Sequence, residues 1–173
     1  MDNKELLQLY DITIKEGQYY LNSYEKRVTF FWKIVSAIFG GLIVGIFKAT
    51  MFYHFIILII APILLFFIVK ITKETLSRAY LSFLECVTIR AKIESDLNLN
   101  TPKNYKDLTW ENESITPSRY IITRNKYNTS EEFVNNTINS GIQPIYMSLF
   151  NIIQIVSILL TVFLIILAIK SFI

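Results

Sequence analysis

Residues 28 to 69 read VTFFWKIVSAIFGGLIVGIF, KAT and MFYHFIILIIAPILLFFIV, and they are predominantly apolar. Its two apolar runs, Val28 to Phe47 and Met51 to Val69, each approach the roughly 20 helical residues that cross the hydrocarbon core of a bilayer. Only residues 48 to 50 separate the two runs. The stretch therefore predicts two transmembrane helices joined as a tight antiparallel hairpin.

A third apolar run, from about Ile145 to Ile169, predicts a third transmembrane helix. The chain of 173 residues is 53% hydrophobic and 18% charged, and its mean hydropathy is +0.42. These values are typical of an integral membrane protein and not of a soluble domain. We expect an all-α integral membrane protein with three transmembrane helices, long cytoplasmic helix extensions and a small cytoplasmic insert.

Apolar residues at alternating steps of three and four continue both hairpin helices beyond the bilayer. In the first helix this seam consists of Leu7, Tyr10, Ile14, Gly17, Leu21, Tyr24, Val28, Phe31, Val35, Ile38, Leu42 and Gly45. In the second helix it consists of Leu76, Tyr80, Phe83 and Val87. The two seams either cover each other within one chain or leave a face free for self-association.

These patterns divide the chain into five segments. They are a cytoplasmic N-terminal amphipathic helix (1–27), a transmembrane hairpin (28–69), a cytoplasmic return helix (70–97), a polar cytoplasmic insert (98–144) and the third transmembrane helix (145–173). Within the insert, Thr129 and Glu132 match a capping box ahead of a short helix that ends near Gly141.

The distribution of positive charge predicts the orientation of the spans. Of the 17 Lys and Arg residues, five lie between Lys4 and Lys33 and ten between Lys70 and Lys126. By the positive-inside rule this side is cytoplasmic, which places the N-terminus inside and the C-terminus outside. Three glycosylation triplets in the insert favour the opposite orientation, but the charge asymmetry outweighs them. Abundant Ile, Lys and Asn fit an AT-rich coding sequence, so we expect a bacterial inner membrane.

The third span carries a row of polar residues on one face. These residues are Asn151, Gln154, Ser157 and Thr161, and they fall within an arc of about 120° on a helix. Because an amide that faces lipid is costly, this face must meet other helices or water. The residues either form hydrogen bonds inside one protomer or line the pore of a homo-oligomer.

Small residues recur at steps of four in the first span, at Ala37, Gly41 and Gly45. Small residues at this spacing let two helix backbones approach closely. The strip either mediates contacts between copies of the chain or seats another span of the same chain.

The insert interleaves basic and aromatic residues. The candidate ligand-binding residues are Lys103, Lys106, Arg119, Tyr120, Arg124, Lys126 and Tyr127. Cations beside aromatic faces hold ligands that carry phosphates and bases. Five acids in the same segment dilute the charge, so a solvated surface is one alternative. Contact of the basic residues with anionic lipid headgroups is another.

The chain offers few groups for catalysis. It has one histidine, His54, and one cysteine, Cys86. It contains no Gly-rich phosphate loop, no paired-carboxylate signature and no metal-ligand spacing that includes histidine. We therefore expect neither an enzyme nor a bound cofactor or metal.

The first hundred residues contain the tyrosines Tyr19, Tyr20 and Tyr24 before the first span, the junction KRVTFFW at residues 26–32, the hairpin at Lys48 and the uninterrupted helix after Val69. In these features they resemble the SLATT-type membrane effectors of bacterial anti-phage defence. The third span departs from that two-span pattern. With its polar face, the chain is more similar to the channel-forming effector of Hailong-type systems. That resemblance implies a homo-oligomer opened by a nucleotide or oligonucleotide signal that a partner nucleotidyltransferase makes.

The sequence thus favours a homo-oligomeric channel that opens on a cytoplasmic signal and depolarises the cell. Two other functions are compatible with it: a membrane-anchored adaptor without a pore, and a holin-like lesion former that needs no ligand. For an adaptor, we expect the face formed by Leu76, Tyr80 and Phe83 to bind the partner.

Overall fold

The computed structural model describes residues 2–101, 126–140 and 143–172. The described part is 91% helical and contains no strand. Its helices are α1 (Asn3–Lys48), α2 (Phe52–Asp96), α3 (Ser130–Ser140) and α4 (Gln143–Phe172). The predicted all-α fold is confirmed. Helices α1, α2 and α4 are long and apolar enough to cross a membrane, and the chain is a membrane protein with three transmembrane helices.

Helices α1 and α2 run without interruption through the predicted segment boundaries near Val28 and Val69, over 46 and 45 residues. The connection between them is as short as the sequence predicts. At this turn the backbone N–H groups of Thr50 and Met51 both lie 3.4 Å from Nδ1 of His54 and donate to it. His54 therefore satisfies backbone donors that the start of α2 leaves without helical partners.

The chain folds as two compact units, Met1–Asn22 with Ala79–Gly141 and Ser23–Arg78 with Ile142–Ile173. We call the first the α3 unit and the second the membrane unit.

The membrane unit is a bundle of parts of α1, α2 and α4. The rings of Phe31 and Phe150 meet edge to face at 4.7 Å and are buried. Further along the bundle, Leu42, Phe55, Leu164 and Ala168 form an apolar cluster. Because Phe52 at the start of α2 contacts Phe172 at the end of α4, the two helices are antiparallel.

The outer surface of this bundle is also apolar. Ile57 of α2 is 63% exposed and Leu159 of α4 is 62% exposed, and many other large aliphatic side chains of the unit are exposed too. A bundle with apolar side chains both inside and outside is suited to lipid and not to water.

In the α3 unit, the start of α1 packs on the end of α2. A Cβ atom on Gly17 would lie 3.5 Å from Cβ of Cys86, which is ordinary contact. The hydroxyl of Tyr10 donates to Oε1 of Glu94 at 3.2 Å. That carboxylate is buried and lies 3.5 Å from Nε of Arg90. A polar network therefore ties the two helices together beside an apolar contact.

The predicted seam of α1 holds through the membrane unit, where Tyr24, Phe31, Val35 and Leu42 are buried. In the α3 unit it is wrong at Leu7, which is 55% exposed. Leu6 and Thr13 are buried instead. The cause is the helix period, because a straight helix turns once in 3.6 residues and drifts from a strict 3.5-residue seam by about 20° per heptad.

Candidate functional site

The polar residues of α4 extend from the buried face of this helix to its exposed face. Ser157 is completely buried, Gln154 and Thr161 are half-buried, and Asn151 is exposed. The four residues share an arc, as the sequence indicates, but only its Asn151 end is open to the surroundings of the protomer. The assignment of all four to a pore stays a prediction.

The two hydroxyls of this row are satisfied within α4. Oγ of Ser157 donates to the carbonyl of Ile153 at 2.8 Å, and Oγ1 of Thr161 donates to the carbonyl of Ser157 at 2.8 Å. Such bonds to the preceding turn let Ser and Thr remain in apolar surroundings. Neither hydroxyl needs water, so the amides of Asn151 and Gln154 are the groups that need outside partners.

The partner of both amides is Lys73 of α2. Its ammonium donates to Oδ1 of Asn151 at 2.6 Å and lies 3.5 Å from Oε1 of Gln154. We call these three residues the Lys73 cluster. A hydrogen bond from a charged donor is stronger than a neutral one. Both amide oxygens are thus bonded to Lys73 inside one protomer, while Asn151 remains exposed.

Sequence reasoning missed Lys73, although a signal for it existed. Lys73 follows the end of the second span at Val69 by four residues, and Asn151 follows the start of the third span at Ile145 by six. Lys73 thus lies just beyond the end of its span and Asn151 just inside the start of its own, and the long lysine side chain reaches from one to the other. The two residues are 78 positions apart in the sequence, so no local pattern reveals that they are close.

Contacts of α4 with α1 show how far the Lys73 cluster lies from the start of the first apolar run. Phe150, next to Asn151, meets Phe31, which lies three residues inside the first apolar run. At about 1.5 Å per residue this is roughly one helical turn inside the apolar segment. Nearby, Nε2 of the buried Gln143 donates to Oγ of Ser77 at 3.0 Å. Polar contacts therefore join α2 and α4 at this end of the bundle.

The three predicted helix-packing residues divide into two groups. A Cβ on Gly45 would lie 2.5 Å from Cδ2 of Leu58, so this glycine seats α2 against α1. Ala37 and Gly41 are exposed, and a Cβ on Gly41 would meet nothing within 4 Å. Of the three small residues, Gly45 packs against α2 within the hairpin. Ala37 and Gly41 lie exposed on the surface of the bundle.

Most of the predicted ligand-binding residues lie outside the described residues. They are Lys103, Lys106, Arg119, Tyr120 and Arg124. Lys126 is described and exposed. Tyr127 is half-buried, and its ring packs edge to face on Phe133 at 5.7 Å.

Tyr127 lines a cavity of about 240 Å³ in the α3 unit. Lys92 and Ser95 of α2 line one side of it, and Thr129 and Phe133 line the side of α3. Sequence reasoning missed Lys92 because it lies on a long helix outside the polar insert. The wall of the cavity is mostly apolar, and its lining residues include one lysine and two aromatic residues.

The start of α3 borders this cavity and carries the predicted capping box. The N–H of Glu132 donates to Oγ1 of Thr129 at 3.0 Å. The carboxylate of Glu132 accepts the N–H of Asn128 at 2.9 Å. The predicted N-cap at Thr129 is confirmed, whereas the return bond of the Glu132 carboxylate reaches Asn128 and not Thr129. Helix α3 ends at Ser140.

Cys86 is buried in the α3 unit. Burial raises the pKa of its thiol, and the carboxylates of Glu16 and Glu85 raise it further. The thiol therefore stays protonated at neutral pH, in contrast to the lowered pKa of reactive cysteines.

Within the described ranges, no group of three or more His, Cys, Asp and Glu side chains is arranged to hold a metal ion. Comparisons with protein-family models, with curated proteins and with solved structures found no match to this chain.

Proposed function

We propose that this chain is the subunit of a homo-oligomeric membrane channel. In this proposal a nucleotide or oligonucleotide signal, made by a partner nucleotidyltransferase, opens the channel from the cytoplasm. The open channel then depolarises the cell in anti-phage defence, in a bacterial inner membrane that the N-terminus faces from inside.

The observation that carries the proposal is the exposed end of the Lys73 cluster. Asn151 is exposed on a bundle whose other exposed side chains are largely apolar. The cluster lies near one end of the apolar segment, where an amide that faces lipid loses its hydrogen bonds with water. Several copies arranged with Asn151 toward a shared aqueous axis remove this cost.

The cavity of the α3 unit supports the second part of the proposal. Lys92 and Tyr127 supply a positive charge and an aromatic face, which suit a ligand with phosphates and bases. Binding of the signal must favour the open state by about 5.5 kcal/mol to move the channel from 1% to 99% open. The likeness of the sequence to channel-forming defence effectors points to the same class of signal.

The test measures ion leakage from liposomes that contain the purified protein. We expect leakage after addition of oligonucleotides or of the products of a partner nucleotidyltransferase. The double variant Asn151→Leu, Gln154→Leu should conduct less, while Ser157→Ala should behave as the wild type because Ser157 is buried in its own protomer. Liposomes that stay tight with every such preparation would contradict the proposal.

A membrane-anchored adaptor is the second candidate, and exposed apolar residues of α1 favour it. Ile12 is 51% exposed and Tyr19 is 68% exposed, so both are available to a partner protein. The sequence instead predicts that a partner binds the face formed by Leu76, Tyr80 and Phe83. That prediction is wrong for Leu76 and Tyr80, because both are buried within the chain.

Two results separate the adaptor and the lesion former from the channel. An adaptor should lose function on Ile12→Ser, Tyr19→Ser and keep it on Asn151→Leu, whereas a channel should respond in the opposite way. A lesion former should kill cells on expression alone, without any nucleotide signal.

A further inference from the structure

The transmembrane part of the chain carries positive charge and no negative charge. Residues 28–73 and 142–173 contain no Asp or Glu. The same stretches contain five lysines, which are Lys33, Lys48, Lys70, Lys73 and Lys170. Within these stretches, a helix that surrounds an aqueous axis brings no carboxylate to that axis, and the first acid beyond them on α2 is Glu74.

Lys73 is the lysine whose position the structure fixes. Its ammonium bonds to the amide oxygens of Asn151 and Gln154. Neither amide carries charge, and in the described part of the chain no carboxylate lies within ion-pair distance of Lys73. The two amides therefore orient the ammonium without neutralising it.

The nearest acid in sequence forms no ion pair with Lys73. Glu74 is exposed and follows Lys73 directly, so on a helix its side chain points about 100° away. Lys73 instead points toward α4, where it meets the exposed Asn151. If Asn151 faces a shared axis, each copy brings one unneutralised ammonium to the same depth.

We infer that the pore is selective for anions and that Lys73 is the residue that sets this selectivity. The inference rests on the proposed channel function and extends it to the permeating ion. A ring of cations with low-dielectric walls concentrates anions and repels cations. Anions that leave a cell with a negative interior carry depolarising current, so this selectivity is consistent with the proposed effect.

The test is the reversal potential of the conducting wild-type protein in planar bilayers with a potassium chloride gradient. We expect a reversal potential close to the chloride equilibrium value, which corresponds to a several-fold higher permeability for chloride than for potassium. Lys73→Gln should move the potential toward zero, and Lys73→Glu should reverse its sign. Lys73→Arg keeps the charge and should keep the anion preference.

Two further variants make the test independent of any folding defect at Lys73. Asn151→Asp places a carboxylate beside the intact ammonium and should also lower the chloride preference. Lys4→Gln removes an exposed lysine of the α3 unit and should leave the reversal potential unchanged.

The possible results separate the inference from the function on which it rests. A wild-type channel that prefers potassium overturns the inference and leaves the channel function intact. A chloride-selective channel that Lys73→Gln and Asn151→Asp do not change overturns the role of Lys73. Absence of any conductance overturns the proposed function, and the inference with it.

Discussion

At Gly45 the backbone of α1 leaves no room for a methyl group, because a Cβ there would lie 2.5 Å from Cδ2 of Leu58. We expect Gly45→Ala to make the flexible Leu58 side chain move aside and to destabilise the protein by about 1 kcal/mol, the low end of the usual cost of overpacking, because the clashing atom is a terminal methyl group. Thermal unfolding in detergent measures the effect.

Two variants serve as controls for this prediction. Leu58→Ala combined with Gly45→Ala should destabilise the protein by less than the sum of the two single substitutions, because the clash is gone. Gly41→Ala should not destabilise the protomer, since its Cβ would point into open space. Equal unfolding midpoints for Gly45→Ala and Gly41→Ala would show that the contact at Leu58 is not formed.

The thiol of Cys86 gives a prediction on pH. Its pKa is raised above the ordinary value of 9.0 by burial first and by nearby carboxylates second. The unfolded chain therefore loses this proton at a lower pH than the folded chain does. The thiol contributes stability that is fully present below pH 9 and is lost as the pH rises through the folded pKa.

The measurement compares wild type with Cys86→Ala in thermal unfolding from pH 7 to pH 10. The midpoint of the wild type should fall more steeply above pH 9 than that of the variant. Parallel curves would mean that burial does not shift the thiol. The comparison isolates Cys86 from the tyrosines and lysines that titrate in the same range.

At the scale of elements, α3 depends on its cap. Thr129→Ala removes the acceptor for the N–H of Glu132, and loss of such a cap costs about 1 kcal/mol. We expect amide hydrogen exchange in α3 to become roughly fivefold faster, while exchange in α4 is unchanged. Ser130→Ala is the matched control, and an equal acceleration in both variants would contradict the role of the cap.

The sequence predicts features that depend on residues close together in the chain, and it does not predict features that depend on distant residues. The three spans and the cap at Thr129 depend on residues close together in the chain, and both predictions hold. The burial of Leu6 instead of Leu7 depends on the gradual offset between a straight helix of 3.6 residues per turn and a strict 3.5-residue repeat. A heptad pattern does not contain that offset. Contacts such as Lys73 with Asn151 join two helices far apart in sequence, so only the folded chain reveals them.

At the scale of the whole molecule, the orientation in the membrane is open to direct test. We expect a cysteine at Lys4 to react with a membrane-impermeant maleimide only in inverted vesicles. A cysteine at Lys170 should react only in intact spheroplasts. Both substitutions belong in a Cys86→Ala background, and labelling of the two sites from the same side would overturn the orientation that the charge distribution predicts.

The short connection between α1 and α2 has a consequence for biogenesis. The four peptide links from Lys48 to Phe52 reach at most about 14 Å, less than half of the roughly 30 Å thickness of the hydrocarbon core. Once α1 has crossed the membrane, the connection is too short for α2 to remain on the side from which α1 entered. We therefore expect the two helices to enter the lipid together, as one hairpin.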